Sequence, residues 1–351
     1  MTVKTILLII LVLLFSCKKN EKNFSANDSK NTNSNAPKGM VLIKGGEFDM
    51  GSNAAKASKT EYPAYKAFVK SFYMDETEVT NDEFAQFVSE TGYMTVAEKP
   101  VNWEELKKQL PPGTPKPDNE MLKPGSLIFE PAKEIENLYD ITQWWTWSLG
   151  ADWKHPHGPQ SSSEGKGNHP VVHVSYEDAE AYAKWAGKRL PTEAEWEYAS
   201  KGGESNGSYA WGDQLVPNGE YLANFFQGTF PRDNTKLDGF ATTAPVKTFP
   251  ANKYGLYDMI GNVWEWTSDW FRYDTHARNK LKSNQATCKN PQGPSQSYDP
   301  NEPLVSKRVI KGGSFLCSEQ YCSNYRPSAR MATAFDSGQE HLGFRCVKDV
   351  N

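Results

Sequence analysis

The stretch Arg308-Val309-Ile310-Lys311-Gly312-Gly313-Ser314-Phe315-Leu316-Cys317-Ser318-Glu319-Gln320-Tyr321-Cys322 sets the terms for the whole chain. Arg308 to Ile310 predicts a short strand, and the two glycines after it predict a sharp break into irregular sequence. The two cysteines then stand in a Cys-x4-Cys spacing. That is not the Cys-x-x-Cys of redox or zinc sites, and no second Cys or His pair completes a tetrahedron. Two thiolates alone suit Cu(I), a soft ion content with few sulfur ligands. A disulfide between them fits the spacing as well, and in an exported chain it is the default.

Working outward, helical signals are few and all lie upstream. Thr80-Asn81-Asp82-Glu83 reads as a capping box, followed at helical spacing by Phe84, Phe87 and Val88 and ended near Gly92. Ser175 caps a second helix with Ala179, Tyr182, Ala183 and Ala186 on its apolar face, and Gly187 ends it. Pro191-Thr192 opens a third that runs through Tyr198 to the closing pair Gly202-Gly203. Met40–Ile43 and Glu47–Gly51 read as strands around Gly45-Gly46, and Phe68 to Met74 as another. Beyond Gly203 only short strands are expected, at Val246–Phe249, Arg308–Ile310 and Gly343–Val347. Lys99 to Lys123 and Arg272 to Lys307 read as polar surface insertions. The pattern is that of one α+β domain with long ordered loops.

Composition agrees. The 351 residues include 11 Trp, 16 Tyr, 17 Phe, 26 Gly and 22 Pro, which suits loops pinned by aromatic packing more than a helical bundle. The net charge of -4 gives no basic footprint for nucleic acid.

The N-terminus is a targeting segment. Lys4 precedes an apolar run from Ile6 to Phe15, too short to span a membrane, and Leu14-Phe15-Ser16-Cys17 resembles a lipobox whose cysteine is lipidated after cleavage. Residues 1–17 are therefore expected to be a lipoprotein signal peptide, 18–38 a disordered tether and 39–351 the folded domain. Such a chain is exported and held on a bacterial membrane facing the periplasm. With Cys17 assigned to lipid, Cys288, Cys317, Cys322 and Cys346 remain.

The cysteine segment, with Tyr325-Arg326, Ala329-Arg330 and Leu342-Gly343-Phe344-Arg345-Cys346, resembles the active-site segment of the formylglycine-generating enzymes, also called sulfatase-modifying factors. The resemblance runs from about Gly39 to the end. It takes in Asp75-Glu76-Thr77-Glu78-Val79-Thr80-Asn81, Arg189-Leu190-Pro191-Thr192-Glu193-Ala194-Glu195-Trp196-Glu197, Tyr254-Gly255-Leu256-Tyr257-Asp258 and Gly261-Asn262-Val263-Trp264-Glu265-Trp266. It implies a variant of the C-type lectin-like fold with little regular secondary structure. It also implies an oxidase in which Cys317 and Cys322 hold Cu(I) and Ser314 sits beside the metal. Dioxygen would then convert a cysteine of an unfolded sulfatase, in a Cys-x-Pro-x-Arg-like motif, to Cα-formylglycine, with the protein acting as a monomer. Tyr321 would be either a wall of that pocket or a core tyrosine.

The same resemblance implies two structural Ca²⁺ sites. Asn224 and Asp238, with the carbonyls of Phe225 and Phe240, align with one; Asp258 and Glu265, with those of Gly261 and Val263, align with the other. The family cysteine that pairs with the equivalent of Cys346 is here Ser200, which leaves Cys288 as the remaining disulfide partner for Cys346. His155, His157, His169 and His173 are expected to pack or hydrogen-bond rather than bind metal. Two rival readings are a non-catalytic lipoprotein of a surface or motility machine that kept the fold, and a calcium-stabilised carbohydrate-binding module. Retention of Ser314, Cys317 and Cys322 together favours the enzyme.

Overall fold

Three capping boxes place the three expected helices. In the computed structural model, which describes residues 36–203, 207–322 and 324–350, Thr80 accepts from the Glu83 amide while the Glu83 carboxylate accepts from the Thr80 amide at 2.8 Å, opening α1 (Asn81–Thr91). Gly92, at φ +68°, closes it. A short turn, α2 (Trp103–Leu106), comes next. Ser175 with Asp178 opens α3 (Tyr176–Trp185), and Thr192 with Glu195 opens α4 (Glu193–Ser200). Each such cap is worth about 1 kcal/mol. Their apolar faces meet in an aromatic cluster where Phe84 packs against Phe87, Trp153, Tyr182 and Phe344.

Strands are short and scattered over small sheets. One joins β1 (Met40–Ile43), β4 (Phe72–Asp75) and β14 (Val347–Asp349); a second joins β2 (Gly46–Met50), β3 (Tyr65–Val69) and β10 (Cys288–Lys289). The largest, in the order β12-β11-β9-β13, contains β9 (Trp264–Trp270), β11 (Lys307–Lys311), β12 (Met331–Ala334) and β13 (Leu342–Gly343). Two pairs complete the set: β5 (Gly125–Phe129) with β6 (Trp145–Leu149), and β7 (Gly228–Thr229) with β8 (Asp233–Asn234). The described residues form one compact unit. The segments expected to be a signal peptide with its lipobox Cys17, and nearly all of the expected tether, lie outside the described residues.

Several local expectations are corrected. The strand read over Phe68 to Met74 breaks at Lys70-Ser71, and its halves belong to different sheets. Gly343–Val347 breaks in the same way into β13 and β14, while Val246–Phe249 makes turns. The 272–307 stretch holds a helix, α5 (Thr275–Ser283), that buries only Thr275 and His276 and has no side-chain cap, so it leaves no apolar stripe to read. β9 is missed because it is buried almost throughout and does not alternate.

The loops are tied down by ion pairs buried in the core. Arg345 donates to both carboxylate oxygens of Glu265 at 2.7 to 2.9 Å, and Arg330 to both of Glu193 at 2.7 and 2.8 Å. Arg326 grips Glu61 at 2.6 and 2.9 Å, and Lys311 reaches Glu197 at 3.3 Å. Each pair joins segments far apart in sequence. Two-pronged guanidinium–carboxylate bonds fix orientation as well as distance, and removing one partner of such a buried pair costs roughly 3–5 kcal/mol.

Candidate functional site

β11 delivers the cysteine segment. At its end Gly312 and Gly313 take φ +96° and +76°. A Cβ on Gly312 would come to 3.2 Å from the Met259 carbonyl and the Trp196 ring, and one on Gly313 to 3.1 Å from the Tyr325 backbone. Only glycine combines that backbone with that closeness, so the pair turns the chain abruptly into Ser314. Three backbone bonds then fix the loop: Phe315 N–H to Asn262 O at 2.8 Å, Cys317 N–H to Ser314 O at 2.9 Å, and Phe226 N–H to Cys317 O at 2.9 Å. Cys322 N–H donates to Ser318 O at 2.9 Å, closing the turn between the two cysteines.

The result is a thiol pair with Sγ atoms 2.7 Å apart, both unbridged. Cys317 is buried and Cys322 half-buried. The hydrogen bond from Cys317 holds the Cys322 pKa below the usual thiol value, with help from Asn324 and the charge of Arg326 against the cost of burial. Burial pushes Cys317 well up, and its neighbour Cys322 pushes it further. The pair therefore loses its first proton at Cys322. Asn324 Nδ2 donates to Cys322 Sγ at 3.3 Å and orients that sulfur.

Ser314, fully buried, lies beneath the pair. Its Oγ is 3.1 Å from His341 Nδ1 and accepts from the Leu316 amide at 3.2 Å. Beside the thiols stands an aromatic wall. Tyr321 stacks on Phe230 at 4.7 Å and meets Trp144 edge-on at 5.5 Å, while keeping 38% of its surface exposed. It is a wall residue and not a core tyrosine. Phe226, Phe230, Phe315, Leu316 and Trp144 form their own apolar cluster under it. Just past the cysteines, Arg326, Pro327 and Ser328 line a polar cavity of about 680 Å³ with Tyr209 and Lys201. Neither His341, Trp144, Phe230 nor Asn324 was singled out from sequence; a lone His, Trp, Phe or Asn in a loop carries no spacing signal of its own.

The two oxygen-ligand sets differ. In the first, the Phe225 amide donates to Asp238 Oδ2 at 2.9 Å and the Phe240 amide to Asp238 Oδ1 at 3.0 Å, so the expected residues converge. Gln227 Nε2 contacts both Phe225 O and Asp238 Oδ2, and Asn224 Oδ1 is buried with no partner. A stranded amide oxygen beside a carboxylate and carbonyls is a donor set that fits Ca²⁺. In the second set Asp258 Oδ1 is likewise buried with no partner, and Asp258 stands close enough to Glu265 for that charge to oppose its ionisation. Glu265 spends both oxygens on Arg345 and accepts from Trp196 Nε1 at 2.7 Å. Asp258 accepts from the Lys247 amide at 2.8 Å, and Gly261 N–H bonds to Gly312 O at 2.9 Å. Among the described residues no group of three or more His, Cys, Asp or Glu is placed to hold a metal.

The bridge expected between Cys288 and Cys346 is not formed. Cys288 sits on β10 with its thiol toward Asn279 O, whereas Cys346 is buried beside β4, its amide donating to Asp75 at 2.9 Å. They serve different sheets. The histidines pack and hydrogen-bond: His155 faces Asp152, His169 faces Thr243, and His173 is buried between Ser126 and the Pro156 carbonyl. His157 lies 3.6 Å from Glu340.

Fold and site together define a class: loop-rich α+β proteins that carry a paired-thiol centre on the turn after a central strand. The chain belongs to the family of the sulfatase-modifying factor enzyme 1-like domain, whose family model matches residues 25–350. It is 45% identical over 310 residues to a formylglycine-generating enzyme of Mycobacterium tuberculosis, covering 88% of this chain and 97% of that one. It is 35% identical over 319 residues to a Mus musculus protein named inactive C-alpha-formylglycine-generating enzyme 2, covering 89% and 86%. Among solved structures, PvdO from Pseudomonas aeruginosa superposes with a TM-score of 0.57 at 22% identity over 89% of this chain and 94% of that one, a likeness of fold. The fold is thus that of the formylglycine-generating enzymes.

Proposed function

We propose that this protein converts a cysteine in sulfatase polypeptides to Cα-formylglycine, using dioxygen and a Cu(I) ion held by Cys317 and Cys322. Family membership supports the reaction, and the observation that carries it for this chain is the unbridged thiol pair, 2.7 Å apart, with Ser314 beneath it.

Two sulfurs with no hard ligand nearby match a soft monovalent ion. Bound there, copper would supply a one-electron couple for activating dioxygen. The chain supplies the rest. Cys322, the more acidic and more exposed thiol, is the one ready to be a thiolate, and Asn324 fixes its direction. Cys317 and the apolar cluster behind it keep water from the inner side. Tyr321 offers an exposed aromatic face beside the sulfurs, suited to the proline of an extended Cys-x-Pro-x-Arg-like segment. Such a segment must be unfolded to enter, which places the reaction before the sulfatase folds.

The same reading has the protein exported, lipidated at Cys17, facing the periplasm and working as a monomer, with Ca²⁺ at the Asn224–Asp238 set in a purely structural role. The test of function is incubation of the purified protein, Cu(I)-loaded, in air and with a thiol reductant to supply the two electrons dioxygen needs beyond those of the cysteine, with a sulfatase-derived cysteine peptide, followed by mass spectrometry and hydrazide capture of the aldehyde. Aldehyde at the motif cysteine is expected; unmodified peptide under copper and oxygen would sink the proposal.

A further inference from the structure

We infer that His341 is a positioning residue for Ser314, locking the direction of its hydroxyl proton beside the thiol pair through a Ser314–His341–Gln339 relay. Gln339 presents Nε2 to Thr333 Oγ1 and Oε1 to His341 Nε2, each at 3.0 Å. An amide oxygen only accepts, so Nε2 carries the imidazole proton. A neutral imidazole has one N–H, and Nδ1 is therefore bare. Its partner at 3.1 Å is Ser314 Oγ, which must donate its single hydrogen to it. The Leu316 amide meanwhile donates into Ser314 Oγ from the other side. The imidazole thus claims the one hydrogen the serine has to give.

The surroundings hold this arrangement. The Trp264 amide anchors the His341 carbonyl at 2.8 Å, the Trp145 ring packs edge-on against the imidazole at 4.8 Å, and the side chain is buried. Burial, with His173 nearby, drops the His341 pKa to about 3. An imidazole this reluctant to take a proton orients its partner and is not a general base.

The consequence lies at the thiols. The Ser314 side chain also stands within hydrogen-bonding reach of Cys317, so its one hydrogen has two acceptors to choose between, the His341 imidazole and that sulfur. Tied to His341, it leaves the Cys317 lone pairs free for a soft ion and keeps a fixed polar oxygen under the site. Partners of this outer kind typically change activity 10- to 100-fold when lost.

The role of His341 rests on the oxidase reading, and the test separates the two. Nitrogen-15 NMR of the metal-free protein should show His341 as the neutral Nε2–H tautomer, with Ser314→Ala moving the Nδ1 resonance. His341→Phe should lower kcat by about 10- to 100-fold with peptide KM within about twofold, and His341→Asn, which keeps an acceptor near Nδ1, should recover most of it. Since loss of the ring could loosen the fold, Gln339→Leu provides a second arm. It leaves the imidazole in place but frees Nε2, and should mix the tautomers and lower kcat with little change in Tm. An Nδ1–H tautomer in the parent protein, or parental kcat in a folded His341→Phe or in Gln339→Leu with its tautomers mixed, overturns the relay. Absence of aldehyde from the parent protein overturns the oxidase reading instead.

Discussion

Glu265 belongs both to the calcium set expected from sequence and to the buried ion pair with Arg345, and replacing it separates two physical accounts. As a calcium ligand, it would stabilise the fold only when Ca²⁺ is present. As the partner of Arg345, it does so always. Glu265→Ala removes three hydrogen bonds at 2.7 to 2.9 Å from a fully buried guanidinium and strands the Trp196 indole N–H. Breaking a buried pair from one side costs roughly 3–5 kcal/mol, and a stranded buried donor adds roughly 1–3 kcal/mol. Arg345 keeps some compensation: its Nη2 still donates to Tyr257 O at 2.8 Å, and the carboxylates of Glu78 and Asp258 face it. The net loss is set near the lower end, about 4 kcal/mol, or on the order of 10 °C in Tm for a domain of this size. Thermal unfolding of the parent and of Glu265→Ala, each in excess Ca²⁺ and in excess chelator, reads it directly. The same drop is expected in both media. Glu265→Leu combined with Arg345→Met should recover much of it, because an apolar pair of similar volume avoids the desolvation of both charges. A drop present only with Ca²⁺, and absent in chelator, would refute the ion-pair account and return Glu265 to the metal.

Four further outcomes are expected. Cys317→Ser and Cys322→Ser should each abolish aldehyde formation and Cu(I) binding, measured by competition with a chromophoric chelator, while circular dichroism stays that of the parent; full activity in either would leave the pair a structural one. Chelation of Ca²⁺ should lower Tm, since a ligand of the folded state alone stabilises by mass action, and Asp238→Ala should abolish that shift. Membrane fractionation should move the protein to the soluble exported fraction on Cys17→Ala, whereas continued membrane association would argue against lipidation there. Burial raises the Glu340 pKa to about 7, so ionising it opposes folding: its contribution is most favourable below the unfolded value near 4.5 and is lost as pH rises to 7. That is on the order of 3 kcal/mol, and Glu340→Gln should flatten this part of the urea-unfolding pH profile.

What could be read in advance follows from where the information is stored. The helices were legible because their signals are local: Thr80 with Glu83, Ser175 with Asp178 and Thr192 with Glu195 lie three residues apart, and the boxes form as written. The cysteine turn was legible because Gly312-Gly313 and Cys-x4-Cys sit in one short segment, and their spacing survives folding. Strand partners were not, since Lys70-Ser71 looks like the middle of a strand until two different sheets claim its ends. The oxygen ligands show the same divide. Phe225, Asp238 and Phe240 meet across one short hairpin, while the partner that holds Glu265, Arg345, lies 80 residues downstream. A buried arginine is a stronger claimant on a carboxylate than any turn motif, because leaving it unpaired costs several kcal/mol, and nothing near Glu265 in sequence announces it. The Ser314–His341 contact belongs to the same class. Ser314 was picked out by its neighbours, His341 by none, and only the pairing of both β11 and β13 with β9 in one sheet brings the imidazole to the serine. The chain thus writes its chemistry in a short segment and keeps the controls on that chemistry at long range.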